Sequence, residues 1–187
     1  MKPWIGNNYV EQPLSAVFWC VVMTKYAKLT KGEYRRTLPH LQVEDKTIFV
    51  TFVTFKRWQL PESIRTIVLN HCLHDNGIKL QMHGAVVMPD HVHLLFTQLK
   101  DELGNLFGLS EIMSGIKGAS SHSVNKALDR RGPVWQYESF DRILRSDDIV
   151  HQNVEYICQN PLRQGLVQSV DDYPWLWREW VEGAQTP

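Results

Sequence analysis

The sequence predicts an α+β sandwich on a mainly antiparallel sheet. Three observations lead there. Strand and helix signals alternate in the order strand, helix, strand, strand, helix, strand, helix. Two of the strands are separated only by a tight turn, so they form a hairpin. The helical segments carry apolar stripes with which they can cover one sheet face.

The elements follow in order. Thr47-Ile48-Phe49-Val50-Thr51-Phe52-Val53-Thr54-Phe55 is β-branched and aromatic throughout and reads as a strand. Pro61 and Glu62 open a helix over 61–76 that runs through Ile64, Ile67, Val68 and Leu73 and ends at Asn76-Gly77. Lys79 to Met88 and His91 to Gln98 are strands joined by Pro89-Asp90. Ser110 caps a helix over 110–130, with Ile112, Met113, Ile116, Val124 and Leu128 as its stripe, and Arg131-Gly132-Pro133 breaks it. Val134 to Arg145 holds a strand at Ser139 to Leu144. Asp147 starts a third helix, which Pro161 ends after Asn160. A turn and a tryptophan-rich tail remain. A hairpin flanked by strand–helix units is the ferredoxin-like arrangement.

Residues 1–34 stand apart. They have mixed polarity and no sustained period, which predicts an arm or extension ahead of a domain at 35–187. An ordinary first strand around Val17 to Val22 fits that pattern equally.

Bulk composition narrows the function classes. The 187 residues are 43% hydrophobic and 21% charged, an ordinary globular balance that excludes wholesale disorder and coiled coil. The formal net charge is zero, which weighs against a nucleic-acid partner. Distribution matters more than the sum, however. Lys25, Lys28, Lys31, Arg35 and Arg36 crowd one segment, while Asp171 to Glu182 is acidic. Cys20, Cys72 and Cys158 are far apart and form no CxxC pair, which suits a reducing cytosol and gives no structural zinc site. No stretch reaches the roughly 18 to 20 apolar residues that span a bilayer. Leu14 to Met23 is short for that, and Glu11 and Pro13 spoil it as a signal peptide.

Two constellations could carry chemistry. In His91-Val92-His93 the two imidazoles share one strand face, because successive side chains alternate. Neighbouring imidazoles hold a divalent metal, although a hydrogen-bonded histidine pair has the same pattern. Tyr156 and Asn160 are four apart on a helix and share a face. A helical tyrosine commonly packs its ring and wets its hydroxyl, and asparagine commonly ends helices. Together the two sets make sense as a tyrosine nucleophile attacking a metal-polarised phosphodiester, with Asn160 as a third, neutral ligand. Lys117 and Arg145 are candidate contacts to a phosphodiester backbone, or else solvated surface charges.

These residues lie in recognisable motifs. Met88-Pro89-Asp90-His91-Val92-His93-Leu94-Leu95 resembles the histidine signature of the HUH single-tyrosine transposases. Glu155-Tyr156-Ile157-Cys158-Gln159-Asn160-Pro161-Leu162-Arg163-Gln164-Gly165-Leu166-Val167 is similar to their nucleophile helix. Gly132-Pro133-Val134-Trp135-Gln136 and Ser139-Phe140-Asp141-Arg142-Ile143-Leu144-Arg145 fit the segment before it. Arg35-Arg36-Thr37-Leu38-Pro39-His40 and Tyr173-Pro174-Trp175 match flanking motifs of the REP-associated tyrosine transposases.

The resemblance covers about residues 35 to 178 and implies more than composition does. It implies a single-strand DNA nuclease and strand transferase acting beside DNA hairpins of the REP kind. Tyr156 would form a 5′-phosphotyrosine bond and free a 3′-hydroxyl. His91, His93 and Asn160 would hold magnesium or manganese. Lys117, Arg142 and Arg145 would contact the DNA. The protein would be a monomer or homodimer in the cytoplasm, associated with the nucleoid and not with membrane.

Rival readings are a catalytically inactive hairpin-binding domain on the same fold, a histidine-triad hydrolase and a zinc hydrolase. The histidine triad wants a third histidine where Leu95 stands. The zinc hydrolase lacks a third ligand at suitable spacing.

Overall fold

The computed structural model describes residues 46–144 and 147–179, and the side chains of these except 147–149. The expected arm at 1–34, the basic run Lys25 to Arg36, the Arg35–His40 motif, Cys20 and Arg145 lie outside the described residues.

The described chain runs β1 (Thr47–Thr54), α1 (Glu62–Leu73), β2 (Leu80–Val87), β3 (His91–Gln98), α2 (Leu109–Ala127), β4 (Trp135–Ile143), α3 (Asp147–Arg163) and β5 (Leu176–Arg178). The sheet order is β4-β1-β3-β2-β5, and every neighbouring pair is antiparallel. The α+β prediction therefore holds, and β1 to β4 with α1 and α2 make the ferredoxin-like unit.

β1 explains its own sequence. It lies between β3 and β4, and Ile48 to Thr54 are all buried. A strand covered on both faces reads as a continuous apolar run. One face carries Ile48, Val50 and Phe52 of β1 with Val92, Leu94 and Phe96 of β3, packed under Ile64, Val68 and Cys72 of α1 and Ile112, Ile116 and Val124 of α2. The other face carries Phe49, Val86 and Leu95 under Ile157 of α3, with Tyr173 beside them. Each large side chain buried this way stabilises the fold by roughly 1.5–3 kcal/mol. Two helices on one face and one on the other correct the expectation that helices cover a single face. The continuous run of buried residues along β1 and β3 puts apolar side chains on both faces and demands a cover on each side.

Several boundaries differ from the sequence prediction for local reasons. β1 stops at Thr54, where Phe55–Arg57 turns as a short 3-10 segment. α1 stops at Leu73, short of Gly77, which takes φ 79° in the turn to β2. α2 starts at Leu109 after Gly108, so Ser110 sits inside the first turn and caps nothing. It ends at Ala127 because Asp129 adopts left-handed backbone, φ 45°. β4 begins four residues before Ser139, since Trp135 pairs with Thr54.

The clearest correction is at Pro161, which does not end α3. The helix runs through it to Arg163. A proline within a helix forfeits its own N–H bond and crowds the carbonyl four residues back. Here that loss falls in the last turns, and bonding resumes at once: Gln164 N–H donates to Asn160 at 3.1 Å and Leu166 N–H to Pro161 at 2.9 Å. Gly165, at φ 68°, then closes the helix.

The tail is also more than a tail. Leu176 to Arg178 pairs with Gly84 to Val86 as an edge strand. The Tyr173 hydroxyl donates to the Val87 carbonyl at 2.8 Å, and Val87 N–H to the Trp175 carbonyl at 2.9 Å. Among the described residues, no helix is long and apolar enough to cross a membrane.

Candidate active site

His91 and His93 stand at the start of β3, on the face that α3 covers. The register sets this: Thr51 pairs with His93 and Phe49 with Leu95, so those side chains share one side of the sheet. The two imidazoles lie with ring centroids 4.7 Å apart.

Each imidazole has one nitrogen engaged. His91 Nδ1 lies 2.7 Å from Asp90 Oδ1. Hydrogen bonds and charge from His91 and Arg57 hold the Asp90 carboxyl below its usual pKa against the opposing effect of burial. An ionised carboxylate only accepts, so His91 Nδ1 carries the proton. His93 Nδ1 lies 2.7 Å from the Thr51 hydroxyl, in a buried setting. Burial, and then the neighbouring His91, push the His93 pKa well below its ordinary value, so the ring is neutral at pH 7.

α3 brings the tyrosine. Val154 and Ile157 turn onto the sheet, with Ile157 fully buried over Gly84. Tyr156, half-buried, then sits against the imidazoles: its ring centroid is 5.9 Å from that of His93 and 6.1 Å from Phe49, both edge-on. Burial raises the Tyr156 pKa, while the charge of Arg163 and a hydrogen bond from Asn160 act to lower it. The Arg163 guanidinium lies 5.1 Å from the Tyr156 ring centroid. Asn160 is one turn further on, 7% exposed, with Nδ2 donating to the Tyr156 carbonyl at 2.8 Å.

The structure thus brings His91, His93 and Tyr156 into one cluster, with Asn160 on the adjoining turn. Arg142 is on the same face, because it pairs with Phe49, and it donates to Asn153 of α3 at 3.2 Å. Lys117 is on the opposite face. Its ammonium donates to the Tyr137 carbonyl at 2.8 Å and to Ser139 Oγ at 3.2 Å on β4, and burial lowers its pKa. A small cavity of about 100 Å³ between α2 and β4, lined by Val50, Met113 and Asp141 among others, is also on that face, away from the histidines.

Thr51, Asp90 and Arg163 were not singled out from sequence. Arg163 had a signal, being seven residues from Tyr156 and so on its helical face. Thr51 had none, because only strand pairing places it opposite His93.

The donor set fits a divalent metal. With His91 Nδ1 on Asp90 and His93 Nδ1 on the Thr51 hydroxyl, both Nε2 atoms would serve as lone-pair donors when each ring carries its proton on Nδ1, the usual outer arrangement of metal-bound histidine. Among the described residues no group of three or more His, Cys, Asp or Glu could hold a metal, so a third ligand drawn from them would be of another type. Asn160, whose Nδ2 is engaged by the Tyr156 carbonyl, carries an amide oxygen of that type.

The sequence and the fold both match known proteins. A family model described as "Transposase IS200 like" matches residues 46–159. A curated protein of Haemophilus influenzae named "Putative REP-associated tyrosine transposase" is 23% identical over 94 residues, 48% of this chain and 53% of that protein, so the match spans about half of the relative's length. A solved structure of a REP-associated tyrosine transposase bound to a REP hairpin shares the fold, with TM-score 0.59 and 22% identity over 78% of this chain and 82% of that one.

Proposed function

Since the chain belongs to the IS200-like transposase family, we propose that it cleaves and rejoins single-stranded DNA beside a hairpin through Tyr156. The observation that carries this reading is the Tyr156 ring 5.9 Å from His93, with His91 at 4.7 Å from His93 on the same face.

His91, His93 and Asn160 would hold magnesium or manganese. When bound, such an ion polarises the scissile phosphate and steadies the departing oxygen. The residues of the chain do the rest. Tyr156 supplies the oxygen that attacks phosphorus, releasing its proton to solvent. The bond from phosphorus to the 3′ oxygen breaks, leaving a 5′-phosphotyrosine and a 3′ oxygen that takes a proton from water. Burial makes the phenol reluctant to ionise, and Arg163 and Asn160 oppose that. The freed 3′-hydroxyl can attack the phosphotyrosine in reverse and rejoin strands.

The hairpin substrate is proposed from the relatives whose names carry it, and REP-like hairpins are the class to try first. Arg142, on the face of the cluster, is the phosphate contact best placed beside it. Lys117 and Arg145 are further candidates for the DNA backbone. Such a protein works where the genome is, with the nucleoid.

The test is incubation with hairpin-flanked single-stranded oligonucleotides and magnesium. Wild type should form a covalent protein–DNA adduct, and Tyr156→Phe should form none while binding the hairpin near normally. His91→Ala should also fail to cleave. A Tyr156→Phe protein that still forms the adduct would refute the assignment. Binding by wild type without any adduct would support the inactive hairpin-binding domain instead.

A further inference from the structure

The connection from β1 to α1 holds an arrangement that the proposed reaction leaves unused. In the turn Phe55–Arg57, Lys56 and Arg57 both take left-handed backbone, at φ 56° and 57°. Non-glycine residues rarely do so, and such conformations persist where their surroundings over-determine them. The surroundings here do. Phe55 N–H donates to the Val134 carbonyl at 2.7 Å. Thr54 N–H donates to the Asp90 carbonyl at 2.9 Å, and its hydroxyl is shared between the Trp58 carbonyl at 2.7 Å and the Asp90 carbonyl at 3.0 Å. The consequence is the placement of Arg57, whose Nη1 lies 3.0 Å from Asp90 Oδ2.

Asp90 therefore uses both oxygens: Oδ2 accepts from Arg57, and Oδ1 accepts from His91 Nδ1 at 2.7 Å. The side chains grade inward, Arg57 at 49% exposure, Asp90 at 20% and His91 at 12%. A carboxylate held at one oxygen only can rotate toward water. Held at both, it fixes the line along which it accepts from the imidazole.

We infer that Arg57 is a positioning residue of the site: through Asp90 it keeps the His91 Nδ1–H engaged and leaves Nε2 for a divalent cation. The cation in this inference rests on the proposed function. The ordinary alternative is a half-exposed ion pair, which contributes little to stability and nothing to the site. The two differ in what Arg57 removal changes.

The experiment compares wild type with Arg57→Ala and with Arg57→Met, which keeps the aliphatic stem. The nitrogen shifts of His91 are read by NMR in metal-free protein at neutral pH, and Mn²⁺ affinity is read by calorimetry without DNA. Wild type should show the Nδ1–H form alone. Both variants should unfold at nearly the wild-type denaturant midpoint, yet show mixed tautomers and bind Mn²⁺ about tenfold more weakly, the lower end of the effect for outer-shell partners. A folded variant with the wild-type tautomer and affinity would overturn the inference. If wild type binds no Mn²⁺, the metal reading fails, and the tautomer measurement alone still decides the role of Arg57.

Discussion

The Thr51–His93 contact offers a sharp test, because it is buried and short. Thr51→Val keeps the shape and removes the hydroxyl. Thr51 is 4% exposed and His93 7%, so water does not readily replace the lost partner at 2.7 Å. A buried donor left unpaired costs about 1–3 kcal/mol, or roughly 5- to 150-fold in the folding equilibrium at 1.4 kcal/mol per tenfold. The ring can lower that cost by moving its proton to Nε2, but Nε2 is the nitrogen that should meet the metal. Either way one observable must fall. Urea denaturation would report the stability loss, and calorimetric Mn²⁺ titration of the DNA-free protein should show at least tenfold weaker binding, the usual effect of losing an outer-shell partner. Thr51→Ser, which restores the hydroxyl, should recover the Mn²⁺ affinity. A Thr51→Val protein as stable as wild type and equal in Mn²⁺ binding would refute the claim that this hydrogen bond sets the His93 ring.

Other outcomes follow from the same geometry. Ile157→Ala removes a fully buried side chain beneath α3 and should cost about 2–5 kcal/mol in urea denaturation; a loss well under 1 kcal/mol would show that α3 is not anchored there. Arg142→Ala should weaken hairpin binding similarly across sequences and reduce its salt slope by about one, and unchanged binding at every salt concentration would place the DNA elsewhere. Burial pushes the Cys72 thiol up to about 12 from 9.0, so in a Cys20→Ser background its alkylation at pH 8 should be far slower in folded than in denatured protein. Its raised pKa also means that its contribution to stability is intact below pH 9 and is lost as pH rises toward 12; rapid labelling of folded protein would contradict the burial.

Much of the site was legible in the sequence because its two halves are local. The two-residue period of a strand puts His91 and His93 on one face, and the four-residue step of a helix aligns Tyr156 with Asn160. The run of β-branched and aromatic residues from Thr47 marked β1, and the Pro89-Asp90 turn marked the hairpin. None of these needs information from beyond a few residues.

Only the tertiary structure decided what those halves meet. Whether β1 sits beside β3 is a matter of pairing across more than forty residues, and that register is what seats Thr51 opposite His93. The face that α3 covers depends on which side α1 and α2 have already taken, so the meeting of Tyr156 with His93 is not written in either segment. Pro161 reads locally as a stop, yet neighbouring bonds carry α3 to Arg163 and bring a charge against the Tyr156 ring. Lys56 and Arg57 carry no glycine to announce a left-handed turn; contacts with Val134 and Asp90 impose it. Local periodicity determines which side chains share a face, while long-range pairing, whose entropic cost only the assembled core offsets, determines which faces touch.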